Sequence, residues 1–160
     1  VEKGAAYTRW MTTTITSISP RAVSRFVSFR LRSSAETPYV NALTEKDAHR
    51  LIAEWNTDEK HGYLLRLDRR IAGQIFFSTP KRSETMTINL ISVLSAHSRR
   101  GFGKMLLDHA VLIAQKEGLD ALELIVHQKN ISAQRFYERN AFVRVGLYGK
   151  TRYRYRRVLV

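Results

Sequence analysis

Cysteine is missing from all 160 residues, which excludes disulfides, a thiolate nucleophile and a cysteine metal site. The five histidines, His49, His61, His97, His109 and His127, carry no zinc-ligand spacing, so no metal is expected. No apolar run approaches the roughly 18 residues that a membrane-spanning helix needs. No membrane partner is therefore expected, and the expected location is cytoplasmic. Carboxylates are also scarce: 14 Asp and Glu stand against 27 Lys and Arg, for a formal net charge of +13. None follows Glu138, while Arg139, Arg144, Lys150, Arg152, Arg154, Arg156 and Arg157 accumulate behind it. Such a field draws in polyanions and anionic small molecules, nucleic acid among them, although solubility alone also accounts for a basic surface.

What is present suits one soluble domain over residues 1–160, since 44% hydrophobic and 26% charged content are ordinary for a globular chain with a full core. Residues 1–18 contain the β-prone run Met11–Ile18, read as a first strand. The same acid-poor start imitates an organelle transit peptide, but its apolar spacing runs on into the next element. Ser19 and Pro20 offer an N-cap and a pre-set first turn for a helix over Arg21–Arg32. After a polar break, Ser33–Pro38, a second helix is expected over Glu45–Trp55. Thr44 and Asp47 are its capping pair, and Ala48, Leu51, Ile52 and Trp55 form its apolar face. Tyr63–Leu67 and Ile71–Ser78 are close enough to pair as a hairpin. Thr85–Leu94 then reads as a strand buried on both sides.

That strand runs into Ser98–Leu107, SRRGFGKMLL, the stretch around which the chain is organised. Gly101 and Gly103 let backbone N–H groups close on a bound group, and the helix that follows adds its positive N-terminal end. The combination is a socket for phosphate. The helix is expected over Phe102–Lys116, with Met105, Leu106, Leu112 and Ile113 apolar and Glu117-Gly118 as its stop. Leu122–Val126 is a short strand parallel to its predecessor, because a helix joins them. Asn130 then caps a short helix bearing Ala133, Phe136 and Tyr137, and Phe142 begins another strand. Val143–Leu147 and Arg152–Leu159 form a last hairpin, with Arg152, Arg154 and Arg156 on one face and Tyr153 and Tyr155 on the other.

The order of apolar strand, glycine turn, helix and LELIV strand, followed by Asn130-x-x-Ala133-x-x-Phe136-Tyr137 and Phe142, resembles the GNAT superfamily of acetyl-CoA-dependent N-acetyltransferases. The resemblance spans about residues 62–145. It implies an α/β (α+β) fold: a mixed, mostly antiparallel sheet of six to seven strands with a splayed central parallel pair, flanked by about four helices. It also implies acetyl-CoA as donor and a primary amine as acceptor. The acceptor would be shaped by residues 19–56 and 143–160 and could be anionic, as an amino sugar nucleotide or a peptide N-terminus is. A monomer and a homodimer both fit.

Carried over by position, the pyrophosphate turn is Ser98-Arg99-Arg100-Gly101-Phe102-Gly103. Ser98 stands where the family has Gln or Arg, and Arg99, Arg100 or Lys104 could replace the lost charge. Ile91, Ser92 and Val93 match the segment that pairs with the pantetheine arm, beside a slot opened by a bulge near the strand's end. Asn130 matches a residue near the pantetheine. A backbone N–H near Val93 or Leu94 would steady the oxyanion. Tyr137 matches the acid that serves the leaving thiolate. The family often places a Glu base where Asn89 stands, so His127 and Glu84 are the substitutes considered. A basic nucleic-acid-binding module that kept this fold without turnover is the competing function.

Overall fold

A computed structural model describes residues 11–18, 23–36, 44–55 and 57–160. Seven strands form one sheet: β1 (Thr13–Ser17), β2 (Lys60–Leu67), β3 (Arg70–Ser78), β4 (Thr85–Val93), β5 (Ala121–His127), β6 (Val143–Tyr148) and β7 (Arg152–Val158), in the spatial order β1-β2-β3-β4-β5-β7-β6. Every neighbouring pair is antiparallel except β4 and β5. Those two are joined by helix α3 (Phe102–Lys116), and a crossover helix returns the chain in the same direction. Helices α1 (Val23–Glu36), α2 (Glu45–Glu54) and α4 (Ile131–Arg139) are the other α-helices among the described residues.

The sheet separates two cores. On one face α3 and α4 cover Leu65, Ile75, Phe77, Met86, Ile88, Leu122, Leu124 and Tyr155. On the other, Phe26 and Phe29 of α1 pack with Leu64, Ile71, Phe76 and Leu94, and Trp55, just after α2, meets Phe76 edge-on at 5.2 Å. Alternation along each strand produces this division, and in β4 it is shifted once. Phe77 pairs with Ile88 and Phe76 with Leu90, so Asn89 is an extra, bulged residue. Downstream of it Ile91 and Val93 share the α3 face with Met86 and Ile88, while Leu90 and Ser92 turn towards α1.

The helix ends have identifiable causes. Thr44 Oγ1 accepts from Asp47 N–H at 3.2 Å and Asp47 Oδ2 accepts from Thr44 N–H at 3.1 Å, a reciprocal cap that starts α2. Gly118, at φ 68°, ends α3: its N–H reaches Gln115 O at 3.1 Å, and Leu119 N–H reaches Ala114 O at 2.9 Å. The proposed start of α1 at Ser19 and Pro20 lies outside the described residues. Its end differs from the expected break after Arg32, because Ser33–Glu36 are helical. Ser33 Oγ meets Ser92 Oγ at 2.8 Å, and that tertiary contact holds the last turn against the local preference of serine for turns.

Two further expectations are corrected. α3 buries Phe102, Leu106, Leu107, Ala110, Val111 and Ala114, leaving Met105 and Leu112 39% and 56% exposed. Its small alanines face the sheet because β3, β4 and β5 lie close beneath them. Nor is β4 buried on both sides throughout: Asn89 is exposed and Leu90–Val93 are half-buried. The strand has lost a neighbour there, and the site begins at that point.

Candidate active site

β4 and β5 pair only from Thr85↔Ala121 to Ile88↔Leu124. Pairing stops at the bulge, and among the described residues the remainder of β4, Asn89–Val93, keeps β3 as its only sheet partner. Its opposite edge borders an opening between the two central strands. Leu94 N–H donates to Ala72 O at 2.9 Å, so Gly73 and Val93 form a non-hydrogen-bonded pair. Alternation then aims the N–H and C=O of Val93 and Ile91 away from β3, at the opening. These two residues can pair with an extended polar arm as an added strand would. Leu94 is thereby removed as an oxyanion donor, and Val93 stays.

The side chain of Ser92 takes no part in that edge. It faces α1, where Gln74 Nε2 donates to Ser92 Oγ at 2.9 Å and to Ser33 Oγ at 3.2 Å. Gln74 is fully buried and its Oε1 has no hydrogen-bond partner. The sequence reading missed Gln74 as a support of the functional strand. Its signal was a lone polar residue inside the apolar run Ile71–Phe77.

At the end of β4 a short 3₁₀ turn, Ser95–His97, leads to the glycines. Ser98 Oγ donates back to Ser95 O at 2.8 Å, so the residue that departs from the family pattern closes the turn. Arg99 and Gly101 both have positive φ, 59° and 81°. At Gly101 that conformation explains the residue, since a Cβ there would meet nothing within 4 Å. A Cβ at Gly103 would lie 3.4 Å from the Phe136 ring, so its absence lets α4 come close to the start of α3. The first bond within α3 runs from Met105 N–H to Gly101 O at 3.0 Å. The amides of Gly101, Phe102, Gly103 and Lys104 therefore precede the helical ladder and remain for an anion. Lys104 is tied to Asp108 at 2.6 Å, whereas Arg99 and Arg100 are exposed beside the turn. The buried ring of Phe102 anchors the helix start in the core.

α4 brings two more residues to the same face. Asn130 Oδ1 accepts from Ala133 N–H at 3.2 Å and caps the helix, which leaves its amide NH₂ as the group to meet a pantetheine arm. Asn130→Ala is expected to cost about 1 kcal/mol of stability through the lost cap and to weaken coenzyme A binding as well. Denaturant unfolding and titration calorimetry separate the two effects. Tyr137 is 7% exposed and packs edge-on against Phe136 at 5.2 Å and Phe142 at 5.6 Å. Burial pushes its hydroxyl well above the ordinary phenol value, so it stays protonated and keeps a proton available to donate.

The two substitutes for a base are placed differently. Glu84 precedes the paired start of β4, where its carbonyl accepts from Asp120 N–H at 2.7 Å. Five residue steps along the strand, about 16 Å at about 3.3 Å each, separate it from Asn89, so the structure does not bring Glu84 to the opening. His127 is the last residue of β5 rather than a loop residue beyond it. Its Nδ1 accepts from Lys129 N–H at 3.1 Å. In the neutral ring the proton is then on Nε2, and the lone pair that a base needs is already engaged. Asn89 itself accepts from Ser78 Oγ at 3.1 Å.

A free strand edge, an amide-lined helix start and a buried phenol lie on one side of a parted parallel pair, a combination whose chemistry suits an acyl carrier with a pyrophosphate. The profile of the acetyltransferase (GNAT) family matches residues 29–142. The chain belongs to this family, and acetyl-CoA is its donor. No curated protein sequence matches significantly. Among solved structures, an acetyltransferase from Thermus thermophilus is 22% identical, with a TM-score of 0.80 over 92% of this chain and 97% of that one. PaiA N-acetyltransferase from Thermoplasma acidophilum, in complex with coenzyme A, is 18% identical, with a TM-score of 0.74 over 93% and 100% of the two chains. The ribosomal-protein-S18-alanine N-acetyltransferase of Escherichia coli is 18% identical, with a TM-score of 0.73 over 92% and 94%. These likenesses show the fold alone, to which the described residues contribute seven strands and four α-helices. Among the described residues no helix is long and apolar enough to cross a membrane.

Proposed function

We propose that the protein transfers the acetyl group of acetyl-CoA to a primary amine of an anionic acceptor, by direct attack within a ternary complex. The pyrophosphate rests on the amides of Gly101–Lys104 with Arg99 and Arg100 beside it, and the pantetheine arm lies along Ile91 and Val93. The thioester then reaches the parted strands, where Val93 N–H faces the developing oxyanion and Tyr137 donates to the departing thiolate. With Glu84 at the far end of β4 and the Nδ1 of His127 engaged, the ammonium proton of the acceptor leaves to water.

The observation that carries the anionic acceptor is the uncovered face of β5 and β7. Opposite the α3 side, His127 pairs in register with Arg152, Ile125 with Arg154 and Glu123 with Arg156. Arg156 is held by Glu123 at 2.5 Å. Arg154 lies over the Tyr148 ring at 5.6 Å, and Arg152 is exposed at the level of His127. Tyr153 and Tyr155 turn to the core. An acceptor amine that approaches the parted strands from this side passes Arg152 and Arg154, which suit a carboxylate or phosphate.

Thiol release from acetyl-CoA, measured over a panel of amino sugar nucleotides, polyamines and peptide N-termini, tests the reading. Peptides belong in the panel because one structural neighbour is named for acetylating an alanine of a ribosomal protein. With the best acceptor, Arg152→Ser/Arg154→Ser is expected to raise KM about tenfold or more while kcat changes little. An uncharged amine should show no such change. Absence of thiol release with every amine, together with tight and salt-sensitive binding of DNA or RNA, would mean that the fold serves nucleic-acid binding instead.

A further inference from the structure

A second basic concavity lies away from the parted strands. It is a cleft of about 590 Å³ lined by Arg25, Ser28, Phe29 and Arg32 of α1, by Arg69, Arg70 and Ile71 at the β2–β3 turn, and by Leu94, Ala96 and His97 after β4. Spacings of three, four and seven residues put the four α1 positions on one side of that helix. The β2–β3 turn meets them because β3 runs antiparallel to β4 and starts where β4 ends. The cleft therefore lies on the β3 side of β4, whereas the acyl receptacle lies on its β5 side.

Its chemistry is one-sided. Among the described residues four arginines line it and no carboxylate does. All four are exposed, and among the described residues none is in an ion pair. Asp68, next in sequence to Arg69, has its Oδ1 occupied by Thr12 N–H at 2.9 Å. Burial, and after it the nearby charges of Arg100 and Arg32, hold the His97 imidazole below its ordinary value. The floor is apolar, made of Phe29, Ile71 and Leu94, all of which also belong to the α1-side core. Like charges gathered at a concave apolar floor repel one another, and an anion relieves that repulsion.

We propose that this cleft is a second ligand site, which takes a small molecule carrying several phosphates, of the nucleoside triphosphate class. Guanidinium groups from two elements can each grip phosphate oxygens in pairs, and the volume is within the range of small-molecule sites, about 300–1,000 Å³. The site is distinct from the pyrophosphate turn but adjoins it, since Ala96 and His97 immediately precede Ser98. A ligand held there touches the segment that positions the turn, and so has a direct route to the affinity for coenzyme A.

The test uses the intact protein saturated with coenzyme A, which fills the turn, and titrates ATP by calorimetry. One equivalent of ATP is expected to bind. Arg32→Ser/Arg70→Ser should weaken it about tenfold or more, and Arg25→Ser/Arg69→Ser, altered on the same two elements, should do the same. Arg152→Ser/Arg154→Ser should change it less than about twofold, because those arginines face another surface. The four cleft arginines are exposed, and circular dichroism of each variant checks that the fold is kept. If coenzyme A abolishes the ATP signal, the nucleotide was only occupying the pyrophosphate turn and the proposal fails. It also fails if the hairpin variant loses as much affinity as the cleft variants, since binding then follows net charge alone.

Discussion

Gly101→Asp is expected to abolish measurable coenzyme A binding while leaving the fold in place. The backbone at Gly101 has φ 81°, a left-handed conformation that costs another residue about 1–2 kcal/mol. Space is not the obstacle, since an added Cβ meets nothing within 4 Å. The carboxylate would project where the first amides of α3 converge, so it would both compete for them and repel the pyrophosphate. A rise in Kd of about 100-fold or more is expected, equivalent to about 2.7 kcal/mol. Gly101→Ala carries the same backbone strain without the charge and should lose less than about tenfold. Calorimetry on both variants, with melting curves alongside, decides the matter. Unchanged affinity of the Asp variant would falsify the placement of the pyrophosphate.

Tyr137→Phe should lower kcat by about 10- to 100-fold, with kcat/KM falling in parallel and acetyl-CoA affinity nearly unchanged. The ring, which packs against Phe136 and Phe142, is retained. Only the hydroxyl is lost. An ordinary phenol near pKa 10 already protonates a thiolate near about 8.5 only uphill, and burial raises the phenol further. Its contribution is therefore a hydrogen bond to developing charge more than full proton delivery. The sign with pH follows: a raised pKa keeps the donor form to more alkaline pH, so the hydroxyl's contribution should not decline below about pH 10. Wild type and variant should then give parallel pH–rate profiles over the range where the acceptor amine loses its proton. Normal turnover by the variant with the true acceptor would make Tyr137 a packing residue.

How far the site could be read in advance depended on whether the chemistry was local. α3 runs from Phe102 to Lys116 as anticipated, because a glycine with positive φ stands at each end. The cap at Asn130 and the alternation of arginines and tyrosines in β7 are likewise short-range patterns that the fold preserves. The failures involve distance. Ser33 looks like a helix terminator until Ser92 and Gln74 are brought against it. Met105 and Leu112 look like core until the sheet beneath α3 selects Ala110 and Ala114. The engagement of His127 depends on a backbone amide two residues on, in a turn whose shape no periodicity announces. The cleft arginines are scattered over positions 25, 32, 69 and 70, and only the antiparallel return of β3 gathers them.

The extra residue in β4 acts as a change of phase. Upstream of Asn89 the strand is in step with both neighbours. Downstream it is in step with β3 alone, and the same two-residue alphabet of apolar and polar positions is read from the other face. Length changes within this strand are therefore not neutral adjustments of a loop. Removing Asn89 would restore an unbroken alternation, with Ile91 and Val93 still on the α3 face, and would let β4 and β5 zip together, leaving a well-ordered sheet with no room for a thioester.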